Sequence, residues 1–199
     1  MKEFLKQIKI SIIATLVFAV VLCLIYPLVV WIFAQVLFPF QANGSLIKNS
    51  DGQVIGSKLV GQNFTGPEYF EPRPSYAGNG YDPTSSGGSN LGPTSQKLAT
   101  NIKQAIASYR AENNLPTNVP APADAVTGSA SGLDPDISIA NAEIQAPRVA
   151  KYRNISLAEV ETLMNQNIDG RSLGIFGEPG VNVLMLNIAL DQKYPMKKK

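Results

Sequence analysis

Histidine is absent from the 199 residues, and cysteine occurs once, as Cys23. Without imidazole there is no Ser-His-Asp or Cys-His catalysis and no zinc site of the kind that uses histidine. A lone cysteine closes no internal disulfide, so the fold is not a stapled mini-protein. An enzyme built from this chain is left with carboxylates, Ser/Lys pairs, tyrosines or a borrowed metal. Charge of one sign is lacking too. The 17 Lys and Arg against 15 Asp and Glu leave a formal +2, with no basic stripe of the sort nucleic-acid binders carry, so no nucleic-acid partner is expected. Past the N-terminus the basic cluster is Lys197-Lys198-Lys199, read as a solvated tail over 195–199.

Between Ile10 and Ile47 there is no charged side chain at all. Ile, Leu, Val, Phe and Ala dominate up to Val36, and a bilayer core needs about 20 such residues in a helix. A cleavable leader has an apolar stretch of only about 7–15 residues, so 10–38 reads as a retained transmembrane helix. Tyr26-Pro27 sits in its middle and predicts a kink, because proline removes one helical N–H. Trp31, Phe38 and Phe40 lie toward the far end, as an interfacial aromatic belt does. Lys2, Lys6 and Lys9, offset by Glu3, make 1–9 a short basic segment. The positive-inside rule places that segment in the cytoplasm and 39–194 outside.

The segment 39–194 reads as an α+β, or α/β, domain. Leu46-Ile47 and Val54-Ile55 flank Asn49-Ser50-Asp51-Gly52, a hairpin signal that Lys58-Leu59-Val60 would extend. Glu71 to Thr94 is a long irregular stretch, of the kind that is often functional. Tyr69, Phe70, Tyr76 and Tyr81 interleave with it and should pack it onto something. Leu98, Ile102, Ile106 and Tyr109 recur at helical spacing, which predicts an amphipathic helix from Pro93 to about Asn113. A proline-rich connector follows, then an extended piece and small-residue turn over 124–132. Ser138 is an N-cap for a short helix that Pro147 breaks or restarts. Ser156-Leu157-Ala158-Glu159 is a capping box for another helix, which should stop before Gly170. Val181 to Leu190 is aliphatic and reads as a buried strand that turns helical at its end.

Three local patterns invite chemistry. Gly87-Gly88-Ser89-Asn90-Leu91-Gly92-Pro93-Thr94 matches the register of a phosphate-binding loop, G-x-x-x-x-G-K-[ST], with Pro93 in place of the lysine. Gly87, Gly88, Ser89 and Asn90 are therefore the nucleotide-cradle candidates. No strand immediately precedes them, the lysine is missing, and the predicted topology puts them on the side without ATP. A structural or protein-contact loop is the preferred reading, with Gly87 and Gly92 suiting a tight path free of Cβ atoms, Asn90 suiting a turn, and Pro93 starting the helix. Asp124, Asp134 and Asp136 fail the calcium-loop pattern after the second ligand. Asp136 is instead placed at the positive end of the helix that Ser138 opens. Arg148, Lys151 and Arg153 form a basic helix face that is solvated by default or meets an acidic partner. No catalytic and no metal residue is assigned. A Ser/Lys hydrolase is disfavoured, since Lys97 lacks the serine and the companion motif that chemistry needs.

Several runs carry a family resemblance: Gln41-Ala42-Asn43-Gly44-Ser45-Leu46, Gly61-Gln62-Asn63-Phe64, Tyr69-Phe70 with Arg73-Pro74-Ser75, and Ser86 to Thr94. Ser129 to Ser138, Pro147-Arg148-Val149-Ala150-Lys151 and Val181-Asn182-Val183-Leu184 continue it. In this order they resemble the C subunit of the Kdp-type high-affinity potassium-transporting ATPase over nearly the whole chain. Glu71, Tyr76 to Asn79 and the lysine tail lie outside the pattern. The resemblance implies a non-catalytic, single-pass accessory subunit of a bacterial or archaeal plasma membrane. Its partners would be a channel-like potassium-binding subunit, a P-type catalytic subunit and a small helical subunit, besides the lipid bilayer. It would stabilise their assembly and cover the outer face of the potassium-binding subunit. ATP and potassium would be handled by the partners, with no cofactor held by this chain. The alternative it implies is a regulator of nucleotide affinity acting through the Gly-Ser loop. Expected partner contacts are Tyr26, Pro27, Trp31, Tyr69, Phe70, Arg73 and Arg148.

Overall fold

The computed structural model describes residues 1–49 and 51–196, so the lysine tail at 197–199 lies outside the described residues. The chain forms two compact units, Met1–Ile55 and Gly56–Lys199.

In the first unit, α1 (Lys2–Val20) passes through one π-helical turn, Val21–Ile25, into α2 (Tyr26–Leu37). Together they make a 36-residue helix, Lys2–Leu37, the one among the described residues that is long and apolar enough to cross a membrane. The helix takes in Lys2, Lys6 and Lys9 as its first turns, and none of its side chains is buried. Pro27 leaves the carbonyl four residues back, on Cys23, without its usual donor. The backbone answers by widening, with Tyr26 N–H bonding to Val21 O, five residues back. A π turn is a common way for a helix to absorb such an irregularity. Phe38 then leaves helical geometry, and a single turn, α3 (Pro39–Ala42), follows. β1 (Leu46–Lys48) and β2 (Val54–Ser57) pair as the hairpin signal predicts. Asn49 organises the turn by accepting the N–H groups of Asp51 and Gln53 on its side chain; Ser50 lies outside the described residues. Lys58-Leu59-Val60 does not extend the hairpin. It turns away, with Val60 N–H bonded to Ser57 O at 3.3 Å.

The second unit holds α4 (Gln96–Asn113), α5 (Ala123–Val126), β3 (Asp136–Ser138), α6 (Ile139–Arg153), α7 (Leu157–Gln166), β4 (Ile168–Asp169), β5 (Gly180–Asn182) and α8 (Val183–Lys193). The strands form an antiparallel sheet in the order β3-β5-β4, which makes the unit α+β. Val181 stands opposite both Ile137 and Ile168, so one apolar row crosses the sheet. Helix faces close over it. Ala142, Ala146 and Val149 of α6, Val160, Leu163 and Met164 of α7, and Val183, Leu186 and Leu190 of α8 are all buried, together with Phe70. Each triplet follows helical spacing, which is how a helix aims one stripe at a core.

Several expectations are corrected. Pro93 does not start α4; it occupies the second position of a turn closed by Ser95 N–H to Gly92 O at 2.9 Å, a position that suits its fixed φ. Ser95 is the cap and accepts Leu98 N–H. The 124–132 segment is not extended at its start, where α5 makes one helical turn. Pro147 does not break α6, which runs unbroken over 15 residues. Pro147 and Glu143, whose carbonyl loses its donor, are both exposed, so that carbonyl faces solvent and the usual penalty is reduced. Of Val181–Leu190 only the first two residues are strand; Asn182 caps a helix by accepting Met185 N–H. The caps at Ser138 and Ser156 stand as predicted, the second as a full capping box.

Candidate functional site

From Gly61 to Thr94 the described chain has neither helix nor strand, yet parts of it are buried. Backbone amides that leave water need partners, and here side chains supply them. Asn187 of α8 grips Phe70 from both sides, accepting its N–H and donating to its carbonyl, each at 2.9 Å. Gln145 of α6 does the same for Glu71, at 2.7 and 3.1 Å. Two side-chain amides thus stand in for a neighbouring strand.

Arg148 lies beside Gln145 and is buried. Its guanidinium donates to the carbonyls of Pro67 and Tyr69, to Asn113 Oδ1 and to Gln145 Oε1, between 2.8 and 3.0 Å. Arg153 reaches Glu68 O at 2.7 Å and Asp191 Oδ1 at 2.8 Å, with Tyr69 ring stacked 4.8 Å away. The basic face expected to be solvated is therefore an internal clamp at two of its three positions; Lys151 alone of the three is exposed. Arg73 pairs with Asp134 at 2.7 Å. The reassigned carboxylate is Asp124. It accepts Ser138 N–H, Ser138 Oγ–H and Asn141 Nδ2–H at 2.8–3.0 Å, at the start of α6. Asp136, expected there, instead accepts from Asn182, and burial pushes its carboxyl above the usual range.

The glycine-serine loop is zipped to a second small-residue loop. Gly87 N–H and Ser86 Oγ–H both donate to Ser131 O at 2.9 Å. The close approach is not where glycine was expected to be needed: a Cβ on Gly87 or Gly92 would meet nothing within 4 Å. It is needed across the gap, at Gly132, where φ is +68° and a Cβ would stand 2.6 Å from Gly87 O and 2.7 Å from Ala77 N. Asn90 takes the left-handed turn conformation, φ 52°. The strand–loop–helix order of a phosphate cradle is not reproduced: Gly87 N–H has an internal acceptor, and α4 opens later under its own Ser95.

A cleft of about 340 Å³ lies between Phe64, Pro74, Tyr81, Tyr109 and the carboxylates Glu71 and Glu112. Burial raises the Glu71 carboxyl above its ordinary range, the Glu112 charge adds to this, and Arg148 opposes it. Burial raises the Tyr81 phenol to about 12 and the Tyr109 phenol further. Both phenols therefore stay protonated near neutral pH, and they donate their hydroxyls to Arg73 O and Asn141 Oδ1. Among the described residues no group of three His, Cys, Asp or Glu could hold a metal.

A family model described as K+-transporting ATPase, c chain (KdpC) matches residues 8–192. The chain belongs to the KdpC family. Curated relatives called potassium-transporting ATPase KdpC subunit include one from Mycobacterium tuberculosis (strain H37Rv), 55% identical over 177 residues, covering 89% of this chain and 93% of the relative. One from Caulobacter vibrioides (strain NA1000 / CB15N) is 51% identical over 191 residues, 96% and 95% of the two chains. One from Koribacter versatilis (strain Ellin345) is 48% identical over 191 residues, 96% and 97%. KdpC chains are subunits of a potassium-transporting ATPase and not catalysts by themselves. Of the contact residues named from the sequence, Tyr26 and Trp31 stand exposed on α2 beside Pro27. Tyr69 and Arg73 are half-buried, and Phe70 and Arg148 lie inside the second unit. Gln145, Asn187 and Asp124 had not been singled out as anchors. For Asn187 the signal was a polar residue beside Leu186 and Leu190, and for Gln145 a polar row, Asn141-Gln145-Arg148, flanking the apolar Ala142-Ala146-Val149; Asp124 gave none.

Proposed function

We propose that this chain is an accessory subunit that stabilises the assembly of the ATP-hydrolysing and potassium-binding subunits and covers the outer face of the potassium-binding subunit. The observation that carries the reading is the pairing of one uncovered apolar helix, Lys2–Leu37, with a unit whose buried Gln145, Arg148, Arg153 and Asn187 are engaged with its own backbone. Such a unit offers shape and not chemistry. The helix anchors the chain in a bacterial or archaeal plasma membrane, with Lys2, Lys6 and Lys9 on the cytoplasmic side and the second unit outside. Tyr26, Pro27 and Trp31 present the helix to the partners' membrane segments, and a small helical subunit completes the complex. ATP and potassium are bound by the partners. A role for Gly87, Gly88, Ser89 and Asn90 in nucleotide affinity is the second reading, disfavoured by the internal acceptor of Gly87 N–H and by the side of the membrane.

Deleting the chain from cells is expected to abolish high-affinity potassium uptake and to leave the remaining subunits poorly associated on purification. A pump lacking it that assembles and transports normally overturns the proposal. Protease added outside intact spheroplasts is expected to remove the second unit, and protection of that unit reverses the orientation.

A further inference from the structure

Between β4 and β5 the chain makes a second, smaller hairpin whose tip is apolar. Ser172 and Phe176 pair across it, and Ile175 N–H bonds to Ser172 O at 3.2 Å. Ser172 and Phe176 exchange N–H to O bonds at 2.8 and 2.9 Å, so the loop is Leu173-Gly174-Ile175, and Leu173 and Gly174 both have positive φ, 55° and 75°. Asn and Gly tolerate that left-handed region easily and a leucine does not. A leucine at this position is strained. It also gains nothing inside the chain: Leu173 is 88% exposed, Ile175 71% and Phe176 64%. These are the three most exposed large apolar side chains of the second unit. At the base, Arg171 holds Glu178 with two contacts of 2.8 Å.

A strained, water-facing leucine at the apex of an ordered turn has no role in the isolated fold. We infer that Leu173, Ile175 and Phe176 form an apolar knuckle that inserts into an uncharged, apolar cleft on the outer face of a partner subunit of the ATPase. The occupant follows from charge. A loop that docks on a lipid surface combines apolar residues with free Lys or Arg for anionic headgroups. Here Arg171 is paired with Glu178, and Lys58, which lines the same pocket as Ser172 and Phe176, with Asp169 at 3.0 Å. The knuckle therefore has no free cation beside it for anionic headgroups, which matches an apolar protein cleft and not a lipid surface. Its hydrogen-bonded turn also holds the side chains in place before docking, which lowers the ordering cost of binding. A few large, preorganised anchors are what dominate interfaces of this kind.

The inference rests on the accessory-subunit reading, and the test separates the two. A photoreactive residue is placed at position 173, and in a second protein at the exposed Tyr152, in the full chain within the complex purified through another subunit. An adduct from position 173 to an ATPase subunit is expected. Adducts only to lipid, only to a second copy of this chain, or only from position 152 overturn the knuckle while the accessory reading stands. If the unmodified chain fails to co-purify with any ATPase subunit, the accessory reading itself falls. In parallel, Leu173→Asn relieves the turn, so the chain's melting temperature is expected to hold or rise while its retention in the complex drops about tenfold. The triple change Leu173→Ser, Ile175→Ser, Phe176→Ser should lower retention further. Normal retention of both variants refutes the assignment.

Discussion

Gly132 and Gly87 face each other across the two small-residue loops, and they differ in what they tolerate. At Gly132 an added methyl meets backbone atoms at 2.6 and 2.7 Å in a left-handed conformation, and at Gly87 it meets nothing within 4 Å. Gly132→Ala is expected to destabilise the second unit by about 2 kcal/mol or more, and Gly87→Ala by under about 0.5 kcal/mol. Thermal melts of the two variants check this, and equal losses would refute the account of the loop contact. Glu71 gives a pH signature. Its folded carboxyl titrates above 4.5, chiefly because of burial, so the folded state holds that proton more tightly than the unfolded chain does. The associated stability is present below 4.5 and is lost as pH rises through the folded value. In Glu71→Gln that loss is absent, so the variant should gain melting temperature relative to the parent between about pH 4 and pH 7. A constant difference over that range means the carboxyl is not desolvated. At this scale the sequence was a poor guide. Arg148 and Arg153 look like any solvated basic pair in the string of letters. Their burial depends on Pro67–Tyr69, roughly 80 residues earlier, and no local pattern encodes that contact.

Among the elements, legibility follows how local the cause is. Ser138 and Ser156 were readable because a cap involves a residue and the N–H groups two or three positions on. The hairpin at Asn49 was readable for the same reason. Pro147 misled because its effect depends on which side of α6 meets water, a tertiary fact. Val181–Leu190 misled because a run of aliphatics fits a buried strand or a buried helix equally; the switch lies in Asn182, which ends one and caps the other. Asp124 joins α5 to the first turn of α6 through three hydrogen bonds to a negatively charged acceptor. Replacing it by Ala leaves buried donors unpaired and removes a favourable charge from a helix N-terminus. A loss of about 2 kcal/mol is expected, with faster amide exchange in the first turn of α6. Unchanged exchange there would show that Ser138 alone suffices as the cap.

Across the whole molecule, the long apolar helix and the family were legible from the sequence, the first from an uncharged run and the second from ordered runs of residues spread over both units. The face toward the partners was not, because a partner surface is defined by what it meets, and the exposed knuckle at Leu173 carries none of the motifs that flagged the glycine-serine loop. The order of the sheet has a further consequence, for synthesis. β5 is the central strand, between β3 and β4, and with α8 it brings Val181, Val183, Leu186 and Leu190 into the core. It is also the last strand to be made. A chain emerging N-terminus first has α4, α6 and α7 in hand well before anything can join β3 to β4. A nascent chain arrested at Gly170 is therefore expected to be digested by protease at the rate of an unfolded one, and one arrested with all of α8 clear of the ribosome to resist. The unit matures only when translation is nearly over, long after the apolar helix Lys2–Leu37 has left the ribosome.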